Sequence, residues 1–506
     1  MKKAMKKLMA ALLAVAMVCA MAIPAFADGS SSTSTAAVTL YTITAPANGH
    51  TYEIYQIFTG DYDPSNKTML TNIKWGTNGT GTAGEAVDQA ILNELSNVSS
   101  SVSDNDKLKV IEKYVTLTNP VKTIVNGGSV EVVGGYYLIK DKDGSLSGSE
   151  PYTTYLVSVV GTVTISPKSN DVPEFKKKLK DTNDSTGDVS GWQDSADYDI
   201  GDYIPFRLQG TVPEDYDSYK TYYYAFHDKE EAGLTFDPSS VEVHLGDENG
   251  AIISDNYYKV ATKTSGTLSD TECTFEIVFD DLKNIPSVTA NSTITVTYKS
   301  RLNENAVLGK QGNVNTAKLE YSNNPRGNGT GTTPWDNVIV FTYKVVVNKV
   351  DQKHDPLDGA EFTLTKKLKD GTVVDMPMNI DTSNKSLFTL SGLDDGIYTL
   401  TETVTPAHYN TISPITFTVN ADHTITWEAD PRNTVLTSLS GNTASGEITF
   451  THNETDGSLT TDVVNNIGTT LPGTGGIGTT IFYVIGGGLM VAAAILLITK
   501  KRMENR

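Results

Sequence analysis

The sequence predicts a mainly β protein built from tandem β-sandwich domains, with some helix near the N-terminus. Short runs rich in Thr, Val, Tyr and Ile alternate apolar with polar residues, as in 293–298 and 415–419. Gly, Asn, Asp and Pro separate these runs, a spacing that is typical of all-β sandwiches. Residues 84–115 are the exception, because apolar residues recur there at helical spacing and predict two helices.

The N-terminus has the pattern of a signal peptide. Lysines precede an apolar stretch at 8–23, and Ala25 and Ala27 then supply an A-x-A cleavage site. The apolar stretch is short and has the flanks of a signal peptide rather than those of a membrane span. We therefore predict an exported protein whose signal peptide is 1–27 and whose mature chain begins at Asp28.

The mature chain is long enough for about three domains, at roughly 100–200 residues each. A proline-containing hinge at 166–173 and a glycine-rich loop at 326–331 mark two boundaries between them. The predicted organisation is an N-terminal domain at 28–165, a second domain at 166–337, a third domain at 338–468 and a C-terminal signal at 469–506.

The C-terminal signal combines three features in a fixed order. An uncharged apolar run of 19 residues, 481–499, is about long enough to cross a bilayer as a helix. The chain then ends in a basic segment, a pattern that keeps a C-terminus cytoplasmic. Before both of these comes the pentapeptide Leu471, Pro472, Gly473, Thr474 and Gly475.

Charge, cysteine content and motifs exclude several classes of function. A formal net charge of −20 argues against nucleic acid or an anionic membrane surface as partner. Cys273 is the only cysteine outside the predicted signal peptide, so the mature chain needs a stabiliser other than an internal disulfide. The histidines are scattered, and the sequence has no HExxH, P-loop or dinucleotide fingerprint. We expect no conventional enzyme, no cofactor and no metal site.

Several segments carry a family resemblance. The patterns at 356–364 (Pro-Leu-x-Gly-Ala-x-Phe-x-Leu) and 396–402 (Gly-x-Tyr-x-Leu-x-Glu) are similar to the collagen-adhesin B-type immunoglobulin-like domain. Residues 302–306 and 312–325 resemble the fimbrial isopeptide-forming domain, and 55–60 resemble the N-terminal domain of the same proteins. The C-terminal features resemble a cell-wall sorting signal. Together they resemble the backbone, or major shaft, subunit of sortase-assembled Gram-positive pili, which implies tandem immunoglobulin-like β-sandwich domains.

The resemblance implies covalent polymerisation. A pilus-class sortase would cut between Thr474 and Gly475 and join Thr474 to a lysine of another copy. The lysine motif of the family is most similar here to 165–170, so Lys168 is the expected nucleophile. Proline in this motif fixes the local backbone and should hold that lysine out on a loop. The competing lysines are Lys176, Lys177, Lys178 and Lys180.

The resemblance also implies where the protein acts and with what. It places the chain in the cell wall and surface pili of a Gram-positive bacterium, after transient membrane insertion, where it serves adhesion. The implied partners are a sortase, other copies of the chain, tip and base pilins, and peptidoglycan. A monomeric wall-anchored adhesin with the same domain types is the alternative function.

The resemblance further implies isopeptide bonds within domains, in which a lysine amine displaces ammonia from an asparagine side chain. The amine must be neutral, and burial favours this by lowering its pKa. The amide must lie within contact distance of the amine, and a protonated carboxyl group must polarise the amide and carry the proton. This chemistry acts once, on its own chain, and is not substrate turnover.

In the third domain, strand alternation predicts which side chains point inward. Lys349 alternates with Val345 and Val347 and therefore lies on the same strand face as these valines. Glu402 alternates in the same way with Tyr398 and Leu400, so it too should face inward. In the resembled family, Lys349, Glu402 and Asn465 would be the lysine, the catalytic acid and the asparagine. Asn466 is the alternative asparagine, and a buried ion pair between Lys349 and Glu402 is the alternative interpretation.

In the second domain, alternation favours Lys177 over Lys178, because Lys177 has the parity of its apolar neighbours. Asn315 is the first choice for the asparagine, since it shares a face with apolar residues of its strand. Asp228 resembles the position of the family's acid. The residues that stay open are Asn313 and Asn323 for the asparagine and Glu304 for the acid.

Overall fold

The computed structural model describes most of the chain between residues 38 and 504. The described residues are 38–62, 70–98, 104–146, 150, 152–166, 172–325, 328–380, 383–427, 432–443, 446, 448–469 and 477–504. The predicted signal peptide, Lys168 and the pentapeptide 471–475 lie outside them. The chain is 47% strand and 14% helix, which confirms the mainly β class. The strands group into three units, which we call N-terminal, middle and C-terminal.

The N-terminal unit, residues 38–166, combines two sheets with helices. Its strands are β1 (Leu40–Thr44), β2 (Thr51–Tyr62), β3 (Leu70–Trp75), β4 (Lys122–Val125), β5 (Ser129–Val133), β6 (Gly135–Asp141), β7 (Thr154–Val159) and β8 (Val163–Thr164). One sheet has the order β5-β1-β8 and the other β3-β2-β6-β7, with β4 also paired to β2. Helices α1 (Gln89–Ser96) and α2 (Asp104–Ile111) follow β3, and they confirm the helices predicted for 84–115.

The middle unit, residues 172–341, is a sandwich of two large sheets. Its strands are β9 (Phe175–Leu179), β10 (Thr182–Asn183), β11 (Asp188–Val189), β12 (Ser195–Asp197), β13 (Tyr203–Thr211), β14 (Tyr224–Glu230), β15 (Leu234–Leu245), β16 (Ala251–Ile252), β17 (Lys259–Thr262), β18 (Phe275–Phe279), β19 (Thr293–Leu302), β20 (Asn313–Ser322), β21 (Thr330–Thr332) and β22 (Asp336–Phe341). One sheet has the order β16-β15-β19-β13-β9. The other has the order β12-β22-β20-β14-β18-β17, with β21 on β20, and β10 pairs with β11. Buried aromatic and aliphatic side chains from both sheets form one core.

The C-terminal unit, residues 343–469, is a smaller sandwich. Its strands are β23 (Tyr343–Asp351), β24 (Glu361–Lys367), β25 (Val373–Met376), β26 (Asn379–Ile380), β27 (Leu387–Leu393), β28 (Gly396–Val404), β29 (Ile415–His423), β30 (Leu436–Thr443), β31 (Thr451–Asn453) and β32 (Ser458–Asn465). The two sheets have the orders β26-β27-β23-β32-β31 and β25-β24-β28-β29-β30. Strands β23 and β32 pair in parallel, so the first and last strands of the unit lie side by side.

Strand β22 links the middle and C-terminal units. It pairs with β20 along 336–340 and therefore extends the middle sheet across the boundary predicted at 337 and 338. Alternate residues serve different cores, because Val338 and Val340 pack in the middle unit while Ile339 and Phe341 pack in the C-terminal unit. The predicted domain boundaries stay predictions, and the two sandwiches share this strand.

Helix α3 (Ile477–Glu504) follows the C-terminal unit. The most apolar 18-residue window within 480–503 has a mean hydropathy of 2.5, and none of this window is buried inside the protein. The helix is long and apolar enough to cross a membrane, as the uncharged run at 481–499 predicts.

Candidate cross-linking sites

Both lysines that alternation points inward are fully buried. Lys349 and Lys177 are each 0% exposed. In β23, Val345 and Val347 are buried together with Lys349, while the residues between them are partly exposed. In β9, Lys178 is partly exposed and pairs with Asp194. An amine enclosed among apolar side chains has to be paired or neutral, so each buried lysine needs a chemical explanation.

In the C-terminal unit, two adjacent parallel strands and the facing sheet converge on one site. Lys349 of β23 lies opposite Val463 of β32, and Asn465 is two residues further along β32 on the same face. Both Lys349 and Asn465 are 0% exposed. Glu402 comes from β28 in the other sheet and is also buried. The predicted trio is therefore brought into one core.

In this site the amine of Lys349 hydrogen-bonds a main-chain oxygen, whereas the amide of Asn465 hydrogen-bonds the carboxyl group of Glu402. Asn465 Nδ2 donates to Glu402 Oε1 at 2.9 Å and to Oε2 at 3.1 Å, while its Oδ1 has no hydrogen-bond partner. Lys349 Nζ donates to the main-chain oxygen of Val463 at 2.9 Å. Burial lowers the pKa of Lys349 to about 8, although the charge of Glu402 opposes this shift. Much of the amine is thus neutral at a mildly alkaline pH.

In the middle unit, the site is built across the sandwich. Lys177 (β9) and Tyr298 (β19) belong to one sheet, and Asp228 (β14) and Asn315 (β20) belong to the other. Lys177 Nζ lies 2.5 Å from Asp228 Oδ2, and both side chains are 0% exposed. Burial raises the pKa of Asp228 and lowers the pKa of Lys177, so their environment favours the neutral forms of both groups.

The structure separates the residues that the sequence left open. Asn313 Oδ1 accepts a hydrogen bond from Val307 N at 2.8 Å, and its Nδ2 donates to the Val307 and Val340 oxygens, so both polar atoms of this amide already have backbone partners. Glu304 is exposed, and Asn466 in the C-terminal unit is exposed too. Asn323 lies just beyond the end of β20. Of the three asparagines considered in the second domain, Asn315 is the one that shares a hydrogen-bond partner with Lys177, because the hydroxyl of Tyr298 contacts both side chains.

Sequence reasoning missed two residues of the middle site. Glu230 lies opposite Asn315 in the β14–β20 ladder, and its Oε1 is 3.4 Å from Asn315 Nδ2. Burial raises the pKa of Glu230 to about 8. The hydroxyl of Tyr298 contacts Lys177, Asp228 and Asn315. Glu230 has the same strand parity as Asp228, which was the one signal in the sequence that could have indicated it.

In two other clusters of acidic side chains, a basic side chain of the protein supplies the positive charge. Burial opposes charging of His423, but its hydrogen bonds to Asp181 and Asp197 prevail and raise its pKa to about 10. Lys366 Nζ lies 2.6 Å from Asp199 Oδ2 within another group. Among the described residues, ligand atoms gather within 4.8 Å in the groups His227, Cys273 and Glu276; Asp181, Asp197 and His423; and Asp184, Asp199, Asp202 and Asp394. The expectation of no metal site stays a prediction.

Family models match three parts of the chain. Residues 200–325 match the Gram-positive pilin backbone subunit 2, Cna-B-like domain. Residues 343–433 match a prealbumin-like fold domain, and residues 463–505 match the LPXTG cell wall anchor motif. The anchor match and the apolar helix α3 together indicate an exported surface protein that is anchored to the cell wall of a Gram-positive bacterium.

Individual proteins are also similar to this chain. The trypsin-resistant surface T6 protein of Streptococcus pyogenes serotype M6 is 27% identical over 297 residues, which are 54% of this chain and 51% of that protein. The chain thus spans about half the length of the curated relative that it matches. Among solved structures, the T6 backbone pilin of serotype M6 S. pyogenes is 18% identical, with a TM-score of 0.49 and coverage of 87% of this chain and 100% of that chain. The major pilin SpaD of Corynebacterium diphtheriae is 15% identical, with a TM-score of 0.46 and coverage of 85% and 98%.

Proposed function

We propose, because this chain resembles the backbone subunit of sortase-assembled Gram-positive pili, that a sortase polymerises it into a pilus shaft. Its role as a major pilin is structural. The observation that carries the proposal is the pilin-backbone match at 200–325 in a chain that also has the wall-anchor match at 463–505. The partners are a pilus-class sortase, further copies of the chain, accessory pilins and peptidoglycan, and the shaft serves surface adhesion.

The polymerising step exchanges one amide bond for another. The sortase takes Thr474 as an acyl-enzyme, and Gly475 leaves with a new amino group. The amine of Lys168 in another copy then attacks the acyl carbon and releases the enzyme. A linear fibre results because each copy has one acyl donor at its C-terminal end and one acceptor lysine after its N-terminal unit.

Replacing Lys168 with arginine is expected to abolish the polymer, because arginine keeps the positive charge but its guanidinium group stays protonated near neutral pH and cannot attack the acyl carbon. Blotting of cell-wall extracts with an antibody to this chain should show a high-mass ladder for the wild type and only low-mass forms for Lys168→Arg. The matched control is Lys176→Arg, since Lys176 is exposed and is one of the competitors.

Two other results would change the assignment. A ladder that survives Lys168→Arg and disappears in Lys176→Arg would make Lys176 the acceptor. A single low mass in the wild-type extract would favour the monomeric wall-anchored adhesin over the shaft subunit.

We also propose isopeptide bonds from Lys177 to Asn315 and from Lys349 to Asn465. What supports them is the burial of both amines, the raised pKa of Asp228 and the hydrogen bonds that hold Asn465 on Glu402. Each bond would join a strand near the start of a unit to one near its end. Tension along the fibre would then cross a covalent bond rather than the hydrogen bonds of a sheet.

The intact mass of the mature chain is expected to fall short of the calculated mass by two molecules of ammonia. Proteolysis followed by peptide mapping should recover the two branched peptides that contain the joined residues. A mature chain at its full calculated mass would remove both bonds from the proposal, while a deficit of one ammonia would leave the bond whose branched peptide is recovered.

Formation of the bond at Lys349 is expected to slow as pH falls below about 8, the folded pKa of this amine. Only the neutral amine can attack, and its fraction falls roughly tenfold per pH unit below the pKa. The ammonia loss of freshly synthesised chain can be followed by mass spectrometry at about pH 6 and pH 8. An equal rate at both values would contradict attack by this amine.

A further inference from the structure

The middle site has a feature that the C-terminal site lacks. The hydroxyl of Tyr298 accepts hydrogen bonds from both reacting nitrogens, Lys177 Nζ at 2.7 Å and Asn315 Nδ2 at 3.0 Å. The same hydroxyl donates to Asp228 Oδ2 at 2.7 Å. One oxygen atom thus touches the nitrogen that would attack, the nitrogen that would leave and the acid between them.

A second carboxyl group, that of Glu230, also contacts the leaving nitrogen. Glu230 Oε1 lies 3.4 Å from Asn315 Nδ2 and accepts a hydrogen bond from the hydroxyl of Ser300. Asp228 contacts the amine of Lys177 and also interacts with the Asn315 side chain. Asp228 therefore serves the attacking nitrogen first, Glu230 is a second acid at the leaving nitrogen, and a proton has to move from one nitrogen to the other during the reaction.

We propose that Tyr298 and Glu230 are catalytic residues that carry a proton from the attacking lysine to the leaving amide nitrogen. This inference rests on the proposed bond between Lys177 and Asn315 and adds to it two residues that touch the reacting atoms. Asp228 then acts at the start of the reaction, and Glu230 acts at its end.

The proton balance of the reaction uses each of these groups. Asp228 takes the first proton from the Lys177 ammonium, which leaves a neutral amine. The amine attacks the amide carbon of Asn315 and forms the new carbon–nitrogen bond. Glu230 gives its proton to Nδ2, and the old carbon–nitrogen bond breaks. The second proton of the lysine nitrogen passes through the Tyr298 hydroxyl to the departing nitrogen, which returns one proton to Glu230 and leaves as ammonia, so both acids end neutral.

Burial favours this assignment of protons. It raises the pKa of Glu230 to about 8, so the carboxyl group still holds a proton to donate at neutral pH. It also raises the pKa of Tyr298 well above its usual value, so the phenol stays protonated and can accept one proton while it donates another. In the C-terminal unit, Glu402 contacts Asn465 Nδ2 through both oxygens, and that site needs no second acid.

The substitution Tyr298→Phe tests the relay with the loss of one oxygen atom. The ring packs between Phe206 and Phe275, at centroid distances of 5.2 and 5.0 Å, and this packing is kept. Loss of a proton-transfer group is expected to slow bond formation by roughly 10²-fold. The exposed Tyr257→Phe is the matched control, and the bond at Lys349 in the same chain is the internal reference.

Glu230→Gln is the second variant, because it keeps the size of the side chain and removes the proton. Mature chains are made by cell-free synthesis and moved to about pH 6, 7.5 and 9, and ammonia loss from the middle unit is followed by peptide mapping. The wild-type rate should fall above about pH 8 as Glu230 ionises. The Glu230→Gln rate should be roughly 10²-fold lower and should not decline above pH 8. A purely structural role of Glu230 would lower the rate without removing this alkaline decline.

The outcomes distinguish failure of the proton path through Tyr298 and Glu230 from failure of the proposed bond between Lys177 and Asn315. A wild-type middle unit that never loses ammonia would overturn the bond itself. A wild-type unit that forms the bond, with equal rates in Tyr298→Phe and Glu230→Gln, would overturn the proton path and leave the bond intact. Near-ultraviolet circular dichroism identifies a variant that has failed to fold, and in that case the other variant decides.

Discussion

Replacing Glu402 with glutamine is expected to leave the C-terminal unit without its cross-link and to lower its free energy of unfolding by about 4–5 kcal/mol. The bond from Lys349 to Asn465 would close a loop of roughly 100 residues, and the chain-entropy model assigns a stabilisation of that size to such a loop. The corresponding fall in Tm is roughly 10–30 °C for a unit of this length.

Glutamine is the appropriate substitution because it keeps the shape of the site. Glu402 Oε2 accepts hydrogen bonds from Thr405 Oγ1 at 3.1 Å and from Ile412 N at 3.2 Å, and the glutamine oxygen can accept both. Glutamine cannot take a proton from Lys349 or give one to the leaving nitrogen. The variant therefore removes the acid while it retains most of the packing.

Intact mass and calorimetry of the mature chain check this expectation. The exposed Glu361→Gln on β24 is the matched control and should stay within about 0.5 kcal/mol of the wild type. If Glu402→Gln still yields the branched Lys349–Asn465 peptide, Glu402 is not the acid. If the variant lacks the bond but melts at the wild-type temperature, the bond does not supply the stability.

Strand alternation was enough to find the buried lysines. A period of two decides which face of a strand a side chain occupies, and Lys177 and Lys349 both follow it. The same rule could not choose among Asn313, Asn315 and Asn323, because strand alternation assigns all three to the same face. The choice depends on the register of β14 against β20, which places Asn315 opposite Glu230.

Tyr298 could not be found from the sequence for a related reason. It lies on β19, which is separated from β9 by β13 in the same sheet, and this order follows from long-range pairing. Its hydroxyl reaches Lys177 and Asn315 because the side chains of two sheets meet in one core. Local patterns predict faces, whereas a site assembled across a sandwich also requires strand order and register.

Replacing Lys366 with methionine is expected to lower the free energy of unfolding by about 3–5 kcal/mol, because it leaves buried carboxylates without their counter-charge. Lys366 (β24) is 0% exposed, and its Nζ lies 2.6 Å from Asp199 Oδ2 and 2.5 Å from Asp394 Oδ1. Asp199 belongs to the middle unit and Asp394 to the C-terminal unit. One amine therefore ties the two sandwiches together.

The neighbouring groups make this joint dependent on the lysine. Tyr398 OH is 3.1 Å from Asp199 Oδ1 and 3.0 Å from Asp394 Oδ1, so the two carboxylates share further hydrogen bonds. Burial and the nearby charge of Asp199 raise the pKa of Asp394 well above its usual value, while Lys366 lowers it. Without the lysine, Asp394 would have to take up a proton to stay buried, at a cost of about 1.4 kcal/mol per pH unit.

The pH dependence has a definite sign. A carboxyl group whose folded pKa is raised loses stability as pH rises from its unfolded pKa to its folded pKa. The deficit of Lys366→Met relative to the wild type should therefore be largest near pH 8 and shrink as pH falls toward about 4. Asp202, whose pKa burial raises to about 7, acts in the same direction. Chemical denaturation of the mature chain at several pH values measures this deficit.

The exposed neighbour supplies the control, because Lys367→Met should change stability by no more than about 0.5 kcal/mol. Methionine fills nearly the same volume as lysine, so a loss caused by packing alone would be independent of pH. A deficit that stays constant or grows on acidification would therefore contradict a role for Lys366 as counter-charge. A deficit that disappears in acid identifies the joint between the two sandwiches as electrostatic, because protonation of Asp394 removes a buried negative charge that the lysine otherwise offsets.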